Sequence, residues 1–533
     1  MAISVFCFSL GSAQDLFEAW VTRYHGGFGQ EFATSLVVEN NGNVLVAGYS
    51  QGITSGFDWV ILKYSPSGTP VWEKRYNGSA NGDDRPLAMA VDRNGYVYVA
   101  GYAVNSGTVD DFLIIKFSPA GARLWAKSYN GPASSIDQAS ELVVDQNGNL
   151  FVAGKSLGAG TSNDYALIKY DSNGNQLWVR RYDGPGSNSD EPSDLALDGL
   201  GNLYLTGRSW GNNSWDFATL KYSSGGTLLW EKRFNQNRDA DQATSLAVDV
   251  NGNVYITGKS WLWGTDKAYR FCTVKYNSSG TLLWTKYYQG LFYEHSLPVD
   301  LALDKSGNLF CCGTSWGAGT SYDLTTLKYD PNGNQIWAKR FSGPSGGGDF
   351  AAALAIDSNG NVHTTGHQYD KTTRADYDFA TVKYSSGGSE VWSERYSGPA
   401  GIDQAVAITA DLAGNIYVTG FSDGGLTSFD IVTIKYSPCT ASSPKTGDAN
   451  ADGDLSFSDV VSIINYMYGH SNYPSCPANS NLCWLSGLLC RGDWNGDGKV
   501  SLADVIEATY FFFQKPGGNW EPVPSGACCG SVP

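Results

Sequence analysis

The sequence predicts an all-β fold, an eight-bladed β-propeller closed by an N-terminal strand, followed by a small all-α calcium-binding domain. Three observations predict it. A Trp-bearing phrase recurs eight times at near-constant spacing. A Gly-centred turn recurs eight times, out of phase with the Trp. Two acidic twelve-residue loops follow where the repeat has ended.

The 533 residues give room for one large repeat domain with additions. Abundant Gly (64 residues) and 13% aromatics suit strands joined by tight turns. A formal net charge of −16 argues against nucleic acid or an anionic membrane as partner. No apolar run after residue 14 is long enough to span a bilayer. The opening "MAISVFCFSLGSAQ" reads as a signal peptide over residues 1–13, lacking its positive leader, as in a truncated start. The expected localisation is secreted, with possible attachment to the cell surface, which permits disulfides among the ten Cys.

The Trp series is Trp20, Trp72, Trp125, Trp178, Trp230, Trp284, Trp337 and Trp392, spaced by 52 to 55 residues. The turn series is Gly42, Gly95, Gly148, Gly201, Gly252, Gly307, Gly360 and Gly414. Each unit reads as four short strands. The fourth shows "DLALD", turn, "LYLTG", loop, "DFATLKY", turn, "LLWEKRF". Val, Ile, Leu, Thr, Tyr and Phe fill the strands, and Asn-Gly or Gly-Gly turns supply the positive φ that tight hairpins need. Four-stranded units repeated radially make a propeller. The last unit has only three strands, and the phrase "WVTRY" at the chain's head has no strands before it. The head strand therefore completes the last blade, which removes both open edges. The competing arrangement is seven blades plus one detached unit.

Residues 19–437 carry the motifs "GN-V/L-Y-V-x-G-x-S" and "D-F-x-T-x-K-Y". In these the region resembles the bacterial β-propeller repeats catalogued as seven-bladed repeats, although eight units are counted here. The recurring Asp–Lys pairs, Asp58/Lys63 to Asp430/Lys435, are expected to be structural. The Asp caps loop amides and the Lys reaches a neighbouring blade. The repeated Trp is expected to fill the groove between blades.

Connectivity separates two faces. Short turns lie on one, and the loops between second and third strands and between blades lie on the other. On the long-loop face the fourth to sixth units bring Trp210, Trp215, Trp261, Trp263, Tyr269, Trp316 and Tyr322 into one sector, with Arg270 in the slot otherwise held by Asp. Such rings can stack on sugars, anchor a protein, or simply plug gaps between blades.

After a linker over 438–447, "DANADGDLSFSD" and "DWNGDGKVSLAD" place oxygen ligands at calcium-loop spacing. Expected ligands are Asp448, Asn450, Asp452, Asp454, Ser456 and Asp459, then Asp493, Asn495, Asp497, Lys499, Ser501 and Asp504, with Asp454 and Lys499 using carbonyls. Two Ca2+ ions are thus expected. Each loop leads into an amphipathic segment, and residues 448–533, with a Cys-bearing insert, resemble a divergent type I dockerin. That resemblance implies calcium-dependent attachment to a cohesin-type scaffold protein. The expectation is an exported binding or scaffold protein recognising a glycan or protein. The alternative is a polysaccharide-degrading enzyme, a glycoside hydrolase or lyase, carried on a dockerin. No catalytic motif singles out a residue, so the enzyme question leans to no.

Overall fold

The computed structural model describes residues 16–438, apart from 28, 108, 187, 212, 237–239, 263–267, 292–293, 318–320, 344–345, 371–375 and 426–427. The chain divides into two compact units, residues 21–434 and a second made of 1–20 with 435–533. In the second unit the described residues, 16–20 and 435–438, are all strand.

The described residues form eight four-stranded antiparallel sheets. Blades one to seven run in chain order from inner to outer strand. Blade four, for example, holds Asp190–Leu197, Leu203–Trp210, Trp215–Tyr222 and Leu228–Phe234. Blade eight takes Asp403–Ala410, Ile416–Asp423 and Phe429–Pro438 from the chain's tail and Leu16–Tyr24 from its head. Each first strand packs against the first strand of both neighbouring blades, and Asp403–Ala410 meets Glu31–Val38 to close the ring. The eighth unit is thus a blade of the ring.

Burial follows from this packing. Third strands such as "DFATLKY" are buried along nearly their whole length, because a neighbouring blade covers each sheet face. Fourth strands lie outermost and alternate exposed with half-buried residues, as "PVWEKRY" does. The core therefore sits between blades. Trp59 and Ile61 of blade one pack with Met89, Val99 and Leu113 of blade two. Each such side chain contributes about 1.5–3 kcal/mol by leaving water. Cys272, Cys311 and Cys312 are buried thiols, and burial pushes Cys311 up to about 12.

The repeated Trp and Lys stitch blades through one acceptor. Lys221 Nζ and Trp230 Nε1 both donate to Ser278 O in the next blade's outer turn, each at 3.1 Å. Lys63 and Trp72 do the same to Pro119 O at 3.1 and 3.2 Å. The turn glycine lies against the preceding blade's indole. At Gly226 φ is +82°, and a Cβ would come within 2.9 Å of the Trp178 ring.

The all-α calcium domain is a correction to the sequence reading. Among the described residues there is no α-helix, and the fold is all-β. All twelve expected ligands, Asp448 to Asp504, lie outside the described residues. The acidic grammar that pointed to calcium also has another use in this chain. In "DQNGN" Asp145 Oδ1 accepts the amides of Asn147 and Asn149 at 2.9 and 2.8 Å, and Oδ2 accepts Asn149 Nδ2 at 2.7 Å. Asp-x-Asn-Gly spacing here builds hairpin turns whose oxygens are filled by amides, so the spacing does not imply a cation loop. The dockerin and its cohesin-type partner are corrected with it.

Candidate site on the long-loop face

A fully buried polar residue stands at the start of each first strand on the long-loop face: Glu31, Asp137, Asp190, Asp241, Ser296, Asp349 and Asp403 as its first residue, and Asp84 just before it. These accept amides from the loop that enters the blade. Asp137 takes Gly131 N at 2.6 Å, Asp190 takes Gly184 N at 2.6 Å and Asp349 takes Gly343 N at 2.7 Å. Burial raises the carboxyls of Glu31, Asp137 and Asp190, those of Asp84 and Asp403 to about 6 and that of Asp349 to about 7. The amide-capping role expected of the third-strand Asp belongs to this residue. The third-strand Asp instead pairs with the outer-strand Arg, Asp216 with Arg233 and Asp164 with Arg181, each at 2.7 Å.

The predicted aromatics form one pair per blade across the second-to-third strand hairpin. Trp210 and Trp215 lie opposite each other with ring centroids 5.2 Å apart. Arg208 covers Trp215 at 4.6 Å and pairs with Glu191 at 2.8 Å. Trp261 and Tyr269 are 4.9 Å apart, and His295 packs 5.6 Å from Tyr269 while its Nδ1 accepts Tyr269 N at 3.1 Å. Trp316 and Tyr322 are 5.0 Å apart. Arg270 is held by Gln236 and covers Tyr287 at 3.7 Å. Trp263 lies outside the described residues. Among the described residues no ring contact joins these three pairs to one another.

What the structure joins is a run the sequence reading missed. Tyr322 continues to Phe350 at 5.7 Å, Phe350 stacks on His367 at 5.2 Å, and His367 meets Tyr377 at 5.1 Å, which meets Tyr369 at 5.2 Å. A second run links Phe421, Phe429, Phe32, Tyr49 and Phe57, with Arg85 over Tyr49 at 4.8 Å. All these rings are half-buried. Phe32 and Phe350 each follow the leading acid of a first strand, where other blades carry Arg85, Gln138, Glu191, Gln242, Leu297 and Gln404. That variable slot was the available signal.

A third group lies deeper, on the innermost strands. Every first strand has a bulge near its start, after its second or third residue. The residue that follows is Ser35, Ala88, Glu141, Asp194, Ser245, Asp300, Ala353 or Ala407. Ser245 Oγ bridges Asp194 and Asp300 at 3.0 and 3.2 Å. Asp194 also accepts Leu246 N at 2.7 Å and Asp300 accepts Leu354 N at 3.0 Å, so each reaches the next blade. Glu141 receives no hydrogen bond from a described residue. Burial, reinforced by Asp194 and Asp300, pushes its carboxyl well up, and Asp194 is raised to about 6, chiefly by burial.

Two clusters bring together three side chains able to hold a divalent metal, His25/Glu31/Asp430 and Asp164/Asp183/Asp190. No helix among the described residues is long and apolar enough to cross a membrane.

These features define an eight-bladed β-propeller with an ornamented long-loop face. The family model described as "Beta-propeller repeat" matches residues 177–213, 230–261 and 391–427. An uncharacterized WD repeat-containing protein of Acanthamoeba polyphaga mimivirus is 22% identical over 77% of this chain and 36% of its own length. The chain thus spans about a third of the curated relative it matches. Among solved structures, Sqt1 of Chaetomium thermophilum bound to the N-terminus of a ribosomal protein is similar at TM-score 0.49, with 11% identity over 78% of this chain and 98% of that one. Polysaccharide lyase Uly1 is similar at 0.44, with 8% identity over 78% and 91%. The periplasmic gluconolactonase PpgL of Pseudomonas aeruginosa is similar at 0.38, with 15% identity over 57% and 84%. None of these likenesses assigns an activity to this chain.

Proposed function

We propose that this protein is a carbohydrate-recognising propeller that engages a polysaccharide on its long-loop face. The observation that carries the reading is the continuous run of half-buried rings from Trp316 through Tyr322, Phe350 and His367 to Tyr377. Ring faces take the apolar side of a sugar, while His367 and, along the same face, Arg208, Glu191 and Lys259 offer hydrogen bonds to its hydroxyls. Secretion, read from residues 1–13, belongs to the same proposal. Calcium fits the all-oxygen group Asp164/Asp183/Asp190 better than the group holding an imidazole. Affinity electrophoresis against a panel of soluble polysaccharides tests the reading. Retardation by at least one, weakened about tenfold or more in Tyr322→Ala and Tyr377→Ala, supports it. No retardation, or retardation unchanged in both variants, overturns it.

A second reading is a polysaccharide-degrading enzyme, and the inner acids favour it. Glu141 and Asp194 are inner-strand carboxyls that burial raises above the ordinary carboxylate range, the kind of group general acid–base chemistry uses. Product release from a retained polysaccharide that vanishes in Glu141→Gln supports this reading. Release unchanged in that variant removes it.

A further inference from the structure

His25 occupies a loop position that the other blade junctions fill with Asn77, Asn130, Asp183, Asn235, Gln289, Ser342 and Ser397. Only the first copy of the repeat phrase, "WVTRYHGG", carries an imidazole there. The position follows the head strand and precedes the first strand of blade one. His25 Nδ1 lies 3.4 Å from Glu31 Oε2 and 3.2 Å from Asp430 Oδ1. The three ligand atoms are all within 4.8 Å of one another. Glu31 is 0% exposed; its Oε1 accepts Ser50 Oγ at 3.0 Å, and among the described residues its buried Oε2 faces only the His25 imidazole.

We propose that His25, Glu31 and Asp430 bind one divalent cation of the zinc type. Zinc takes nitrogen and carboxylate oxygen at about 2.0–2.1 Å, so a tetrahedral arrangement sets neighbouring ligand atoms about 3.3 Å apart. The observed 3.2 and 3.4 Å match that edge. The imidazole selects zinc-like metals over calcium and magnesium, which prefer oxygen alone. The ligands are oriented from behind, Glu31 by Ser50 and Asp430 by Arg23, whose Nη2 reaches Asp430 Oδ2 at 2.9 Å. The His25 side chain is 36% exposed, which leaves a path for the ion and for a water ligand. A bound ion would join the loop behind the head strand, the first strand of blade one and the third strand of blade eight. That is the seam where the ring closes without a covalent link. The Asp164/Asp183/Asp190 group sits at the equivalent place between blades three and four, with a carboxylate in the His25 position.

The test uses the full chain, stripped with chelator and titrated with Zn2+ by calorimetry, then with Co2+ by visible absorption. His25→Asn installs the residue that three other junctions already use, so the fold is kept. Glu31→Gln is the second variant. The proposal expects wild type to bind one zinc equivalent more than either variant, and to show a Co2+ visible band that His25→Asn lacks. Equal zinc stoichiometry with identical Co2+ spectra would overturn it, leaving His25 as a bridge between two carboxylates.

Discussion

Arg23→Ala probes the bond between the chain's head and tail. Arg23 Nε and Nη2 donate to Asp430 Oδ2 at 3.2 and 2.9 Å, and Nη1 donates to Ser422 Oγ at 2.8 Å and Tyr396 OH at 3.1 Å. The Asp430 side chain is 5% exposed, so removing Arg23 strands a buried charge. Breaking one side of a buried pair costs about 3–5 kcal/mol. Arg23 is 25% exposed and His25 stays beside the other Asp430 oxygen, which lowers the figure to about 2–3 kcal/mol. Arg233→Ala in blade four is the control, since Arg233 makes the same contacts to Asp216 and Ser209 within a covalently continuous blade, and to Tyr182 of the preceding blade. Urea unfolding in the presence of chelator measures both losses, and hydrogen exchange measures where they fall. The two variants lose similar stability, but only Arg23→Ala speeds exchange of the amides in 429–434. A loss below about 1 kcal/mol, or exchange in 429–434 no faster than in the control, refutes the reasoning.

Other outcomes follow from the same contacts. Asp349 is raised to about 7 by burial and then by Asp323, against about 3.9 in an unfolded chain. The folded state therefore keeps a proton that the unfolded state releases, and stability falls as pH rises from about 4 to about 7. Asp349→Asn removes that slope, worth on the order of 2–4 kcal/mol, in urea midpoints measured from pH 4 to 8; an unchanged slope contradicts the assignment. Gly226→Ala should cost about 2 kcal/mol, because φ is +82° and the new Cβ meets the Trp178 ring at 2.9 Å. Gly201→Ala, with φ of +77° and its nearest neighbour at 3.8 Å, should cost about 1 kcal/mol, so equal losses on urea unfolding would rule out the packing argument. Trp230→Phe keeps a ring but loses the hydrogen bond to Ser278 O, at about 1 kcal/mol on the same assay; no loss means the shared acceptor contributes nothing.

Much of the fold was legible because the repeat repeats its constraints. The turn glycines, Gly42 through Gly414, all need positive φ, so they mark every blade at one fixed place. The phase offset between Trp20 and Gly42 was enough to place the head strand in blade eight. The inner acids were not legible. A bulge at Ser140 and Ser193 shifts the strand register, so simple alternation misplaces Glu141 and Asp194. The ring of Phe350 was missed for a different reason. Its partner Tyr322, on blade six, meets it only across a blade junction, which local sequence does not encode, while His367 lies opposite it on the next strand of the same blade. The acidic loops beginning at Asp448 and Asp493 lie outside the described residues, and their spacing alone is ambiguous, because short Asp, Asn and Gly spacing serves turns such as Asp145–Asn149 as readily as metals.

The most direct test of the long-loop face as a saccharide platform is hydrogen exchange with a retained polysaccharide bound. Protection concentrated in peptides covering Tyr322, Phe350 and His367, with the opposite turns at Asp145–Asn149 and Asp198–Asn202 unchanged, is the expected pattern. Protection confined to those turns, or absent from the whole propeller, would contradict the account.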